Sequence, residues 1–79
     1  MTQDEVLNWL AEVFNEPPGS IAADAKKDDV GGWDSLGVLM LMADLDEKFS
    51  IQLDEKEIEG LQSVPELLAL LKRHGKLAA

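Results

Sequence analysis

At three points ahead of an apolar run a small polar residue precedes a glutamate by three positions: Thr2-Gln3-Asp4-Glu5, Asp54-Glu55-Lys56-Glu57 and Ser63-Val64-Pro65-Glu66. Each has the form of a capping box. The first side chain accepts from an unpaired backbone N–H of a first helical turn, and the glutamate reaches back to the cap. These starts commit the chain to helices. After the first of them Val6, Leu10 and Val13, joined by Leu7 and Phe14, recur at helical spacing, and Trp9 and Ala11 widen the stripe. Pro17-Pro18-Gly19 stops that helix. After the last, Leu67, Leu68, Leu70 and Leu71 supply an apolar face, and Pro65 is tolerated in the first turn. Lys72, Arg73 and His74 suit the negative end of the helix dipole, and Gly75 fits a C-cap.

Two helical stretches lie between. The longer runs from about Ser35 to Phe49 with Asp34 or Ser35 as its cap; the shorter begins at Asp54 and turns Ile58 and Leu61 inward. Between them Phe49-Ser50-Ile51-Gln52-Leu53 alternates like a strand. A single strand has no partner here, so this segment reads as an extended connector whose apolar residues plug the core. Asn15 to Asp34 carries no regular pattern, and Ile21, Ala22, Ala23 and Val30 are its candidate anchors. Irregular connections of that length tend to be functional or held down by their own side chains. The expected fold is all-α: a four-helix bundle with a long first loop and a short third helix. The helices fall at about residues 3–15, 35–49, 55–60 and 64–74, in one domain over residues 1–79. No cysteine is present, which excludes a disulfide frame or a cysteine-based zinc site, so helix packing alone must support the small core.

Charge narrows the partners. The net charge is −9, and from Asp28 to Glu59 ten acids face only Lys48 and Lys56. Such a chain repels nucleic acid phosphates and anionic membrane surfaces and is steered toward basic patches on other proteins. The apolar run Leu36 to Ala43 is interrupted by Gly37, followed by Asp44, and far shorter than a membrane span. The N-terminus is acidic where a signal peptide is basic, so a cytoplasmic protein is expected; a monomer is the separate expectation for its assembly.

The middle helix is unlike an ordinary surface helix. On a helical wheel Phe49, Val38, Met42, Leu45 and Leu39 gather on one side as the expected core stripe, while Leu36, Gly37, Met40, Ala43, Asp44 and Glu47 lie opposite. Its first two turns are thus apolar nearly all round. Either the long loop covers the second face or that face is an interaction patch. Gly37 costs about 1 kcal/mol against alanine inside a helix, which suggests close approach of another group.

Gly31-Gly32-Trp33-Asp34-Ser35-Leu36 places a serine at the positive end of this helix, directly after a glycine pair. By itself Asp-Ser is only a good pair of N-cap residues. Taken with the short acidic helical chain, the long first loop, Phe49-x-Ile51-x-Leu53 and Ser63-Val64-x-Glu66-Leu67, the sequence resembles the acyl carrier protein family over essentially its whole length. The resemblance implies that Ser35, flanked by Asp34 and Leu36, carries a covalent 4′-phosphopantetheine derived from coenzyme A, attached by a phosphopantetheinyl transferase. It implies a carrier rather than an enzyme, holding acyl groups as thioesters for acyl-loading and acyl-processing enzymes of fatty acid, lipid or specialised biosynthesis.

The family docks its partners along this helix, which points to Gly37, Met40, Asp44 and Glu47. Gly37 and Met40 stand where fatty-acid-synthesis carriers commonly place acids, so the resemblance implies docking with more apolar contact and a specialised carrier. Trp33 is also bulkier than the small residue often found beside the serine. Asp34-Ser35-Leu36-Gly37 is similar to D-alanyl carriers as well, and Gly31-Gly32 faintly to peptidyl carriers. A non-covalent helical adaptor is the reading from another class.

Catalytic and metal readings find less support. Adjacent Asp34 and Ser35 cannot form the Asp–His–Ser relay with His74, and no oxyanion loop is evident. From Asp24 to Ser35 the calcium-loop pattern fails, with Lys26 at the third position, Asp29 at the glycine and Ser35 at the final glutamate. No metal is expected.

Overall fold

Each helix start is fixed by a side chain that satisfies an otherwise unpaired N–H. In the computed structural model, which describes residues 1–77, α1 spans Gln3–Val13, α2 Ser35–Phe49, α3 Glu55–Glu59 and α4 Val64–Arg73. The order is all-helical, with one 3₁₀ turn at Lys27–Asp29. Thr2 and Glu5 complete a full capping box: Glu5 N–H donates to Thr2 Oγ1 at 3.2 Å and Thr2 N–H donates to Glu5 Oε1 at 2.9 Å. Asp34, not Ser35, caps α2 by accepting from the Gly37 N–H at 2.9 Å, and Asp54 caps α3 by accepting from the Glu57 N–H at 2.7 Å. Ser63 caps α4 and also donates to the Glu66 carboxylate.

Helix ends are equally local. Past α1, Asn15 takes a left-handed φ of 55°, and the N–H groups of Asn15 and Glu16 donate to Glu12 and Ala11. Gly75 does the same past α4 at φ 70°, with the Gly75 and Lys76 N–H groups donating to Lys72 and Leu71. Both are Schellman ends, and they stop α1 at Val13 and α4 at Arg73, slightly short of the expected limits.

The core gathers Val6, Trp9, Leu10 and Phe14 from the α1 side, Leu41, Leu45 and Phe49 from α2, Ile58 from α3, and Val64, Leu67, Leu70 and Leu71 from α4. Trp9 meets the ring of Phe49 edge-on, with centroids 5.1 Å apart. Ile51 is buried and Leu53 half-buried in an irregular connector, as the alternation suggested. The long first loop is held down by its own side chains. Ile21, Ala25 and Val30 anchor it, whereas Ala22 is exposed and Ala23 half-buried. An isolated antiparallel bridge joins Lys26 to Ser63, and the N–H groups of Lys27 and Val64 donate to Gln62 and Ala25 across it. The loop is thereby tied to the α3–α4 connection.

One face assignment needs correction. The buried side of α2 is Gly37, Leu41, Leu45 and Phe49, a four-residue step, flanked by half-buried Val38 and Met42. Leu39, expected inward, is exposed, and Gly37, expected outward, is buried. Glycine adds nothing to a hydrophobic wheel, yet it permits the closest approach. A Cβ on Gly37 would collide with the Gly32 carbonyl oxygen, and one on Gly32 would collide with the Phe14 carbonyl. The helix is therefore rotated toward the glycine.

Candidate functional site

The segment before α2 is wedged against the end of α1. Gly32 lies beneath Phe14, its N–H donates to Glu16 Oε1 at 3.0 Å, and the Trp33 ring stacks on the Phe14 ring with centroids 5.0 Å apart. Trp33 is buried, so its bulk fills the core instead of crowding the serine beside it. Asp34 and Ser35 then emerge on the surface as cap and first residue of α2. Because Asp34 occupies the capping role, Ser35 is not needed for it.

The other serines of the described residues have different settings. Ser20 donates its hydroxyl to the Pro17 carbonyl, and Ser63 caps α4. Ser50 sits at the C-terminal end of α2 with a left-handed φ of 56°, at the negative end of the dipole. Ser35 alone stands exposed at the positive end of a long helix. In such a first turn the N–H groups of Ser35 and Leu36 have no carbonyl four residues back within the helix. Those donors and the dipole favour an anion held beside the Ser35 oxygen.

Ser35 opens onto a groove of about 570 Å³ between α2 and α3. Val38, Leu39, Met42 and Ile58 give it an apolar floor and wall, and Lys27, Asp34, Glu55 and Glu59 supply charged groups. Leu36, Leu39 and Met40 form an apolar surface around the same helix start, with 68%, 63% and 50% of their area exposed. The loop does not cover them. A second groove on the other flank of Asp34 reaches Leu36 and Met40 from Glu12 and Phe14.

The model of the phosphopantetheine attachment site family matches residues 4–71. The chain belongs to the acyl carrier protein family. It is 31% identical over 77 residues to an acyl carrier protein of Exiguobacterium sibiricum, covering 91% of this chain and 96% of that one. An acyl carrier protein of Kineococcus radiotolerans is 29% identical over 76 residues, at 91% and 94% coverage. One of Campylobacter hominis is 30% identical over 73 residues, at 92% of each chain. No solved structure matches this chain. The family's cofactor is covalent 4′-phosphopantetheine, whose thiol supplies the thioester linkage to the cargo. The exposed hydroxyl and the free N–H groups of the first turn fit its phosphate.

Other candidate residues fall differently. Met40 and Glu47 are exposed, but Asp44 is half-buried and accepts from Trp9 Nε1 at 2.9 Å. Gly37 lies inside and offers no surface. His74 is the C-cap of α4. Among the described residues no cluster of three or more metal-ligating side chains occurs, and no helix is long and apolar enough to cross a membrane. The sequence reading missed Phe14 and Glu16 as supports of the serine turn and Lys27, Glu55, Ile58 and Glu59 as its groove. These residues come from separate segments that only tertiary packing brings together.

Proposed function

We propose that Ser35 is the attachment serine and that the chain carries acyl groups as thioesters on the 4′-phosphopantetheine arm. The observation that carries this is the placement of Ser35: an exposed hydroxyl opening α2, at the mouth of an apolar groove, inside the stretch matched by the family. In the modified protein the Ser35 oxygen becomes the ester oxygen of the phosphodiester. Ser35 and Leu36 offer backbone donors to the phosphate, while Asp34 holds the turn through Gly37. Val38, Leu39, Met42 and Ile58 offer apolar cover to the inner part of the arm or to a cargo chain.

The docking face in this reading is Leu36, Leu39 and Met40 with Glu47 at its edge. Its partners are the phosphopantetheinyl transferase and the acyl-loading and acyl-processing enzymes of fatty acid or related biosynthesis. Asp44 contributes less than its sequence position suggested, because Trp9 already engages its carboxylate. The protein acts as one domain and as a monomer in the cytoplasm, presenting cargo without itself catalysing a reaction. The test is to incubate the purified protein with coenzyme A and a broad-specificity phosphopantetheinyl transferase and to weigh it. The wild type gains the mass of one arm and Ser35→Ala gains none. An unmodified wild type, or a modified Ser35→Ala, defeats the proposal.

A further inference from the structure

The groove beside Ser35 contains one basic side chain. Its charged lining is Asp34, Glu55, Glu59 and Lys27, within a molecule of net charge −9. Attaching the arm adds a phosphodiester anion one bond from the Ser35 oxygen, in a field already set by carboxylates. The position of that anion is fixed by the ester, whereas any charge on a cargo lies at the far end of a long flexible chain.

Lys27 is held at the wall of the groove onto which Ser35 opens. Its N–H donates to the Gln62 carbonyl at 2.8 Å, and the neighbouring Lys26 bridges to Ser63, so the backbone is fixed from the α3–α4 side. The Lys27 side chain is half-buried and lines the same groove as Ser35. Lys26, beside it, is exposed and is not among the groove residues.

We infer that Lys27 is a binding residue for the phosphodiester of the arm, its ammonium group offsetting the carboxylates that surround the new charge. The inference rests on the attachment at Ser35. It implies that loading this chain is electrostatically tolerated because of a residue in the first loop, not through the helix start alone. An ammonium–phosphate contact needs no particular donor plane, so arginine can replace lysine there and glutamine cannot.

The test compares wild type, Lys27→Gln, Lys27→Arg and Lys26→Gln, each in unmodified and modified form. Mass measurement first establishes that each has gained one arm; a wild type that gains none overturns the Ser35 assignment itself. Thermal melting at low ionic strength then gives the change in midpoint on modification. In Lys27→Gln modification lowers the midpoint by about 1–5 °C more than in wild type, the range expected for one partly exposed ion pair in a domain of this size. The difference shrinks in high salt. Lys27→Arg and Lys26→Gln behave as wild type, and the phosphorus NMR resonance of the arm shifts in Lys27→Gln alone. Using each variant's own unmodified form as reference removes any purely structural cost of the substitution. Equal midpoint changes in wild type and Lys27→Gln, with an unmoved phosphorus resonance, overturn the role of Lys27.

Discussion

Gly37 and Gly60 show how the same residue type serves opposite ends. Gly60 follows α3 at φ −72°, and a Cβ there would meet the Glu57 and Lys56 carbonyl oxygens at ordinary contact distances of 3.4 and 3.5 Å. Gly37 faces the Gly32 carbonyl with no room for a side chain. Alanine is the better helix former by about 1 kcal/mol, so propensity alone favours both substitutions. We expect Gly60→Ala to stabilise the protein by about 0.4–1 kcal/mol. Gly37→Ala should destabilise it by about 1–3 kcal/mol, because the overlap is with backbone that cannot step aside. Urea unfolding of both variants checks the pair. A Gly37→Ala protein more stable than wild type would contradict the close packing of loop and helix that positions Ser35.

Helix boundaries were largely legible because capping is local. Thr2, Asp54 and Ser63 act where their three-residue spacing to glutamate placed them. The rotation of α2 was not legible, since it depends on a glycine meeting a loop carbonyl that lies five residues earlier in the chain. Nor was the surface role of Leu39, or the inward turn of Trp33 onto Phe14. The helix start at Asp34 and Ser35 was readable from its motif; the groove beside it was not, because its walls come from the first loop, α2 and α3.

The cap of α1 gives a pH test. The Thr2 backbone N–H, and secondarily its side chain, hold the Glu5 carboxyl below its usual range. A carboxyl depressed in the folded state contributes stability above its unfolded pKa and loses it as pH falls through the folded value. Glutamine can keep the capping geometry without the charge. The stability gap between wild type and Glu5→Gln should therefore be present at neutral pH and close in acid, as measured by urea unfolding across a pH series. A gap that does not change with pH contradicts the charge-assisted cap.

Taken as one body, the protein joins strong negative charge to an uncovered apolar surface next to Ser35. The acids set long-range steering, which salt screens, while Leu36, Leu39 and Met40 set short-range contact, which salt leaves intact. Binding of the modified protein to an acyl-processing enzyme should weaken only slightly as salt rises. Leu39→Ser should weaken it by about tenfold or more, the effect of withholding one leucine from a buried contact. A steep loss of affinity with salt, with Leu39→Ser unchanged, contradicts docking through this face.

All of this turns on which hydroxyl bears the arm. Ser20, Ser50 and Ser63 are the other serines of the chain. The most direct measurement is fragmentation mass spectrometry of the wild-type protein after treatment with coenzyme A and the transferase. The account predicts a single arm, confined to fragments that contain Ser35. An arm on fragments bearing only Ser20, Ser50 or Ser63, or no arm at all, would contradict it.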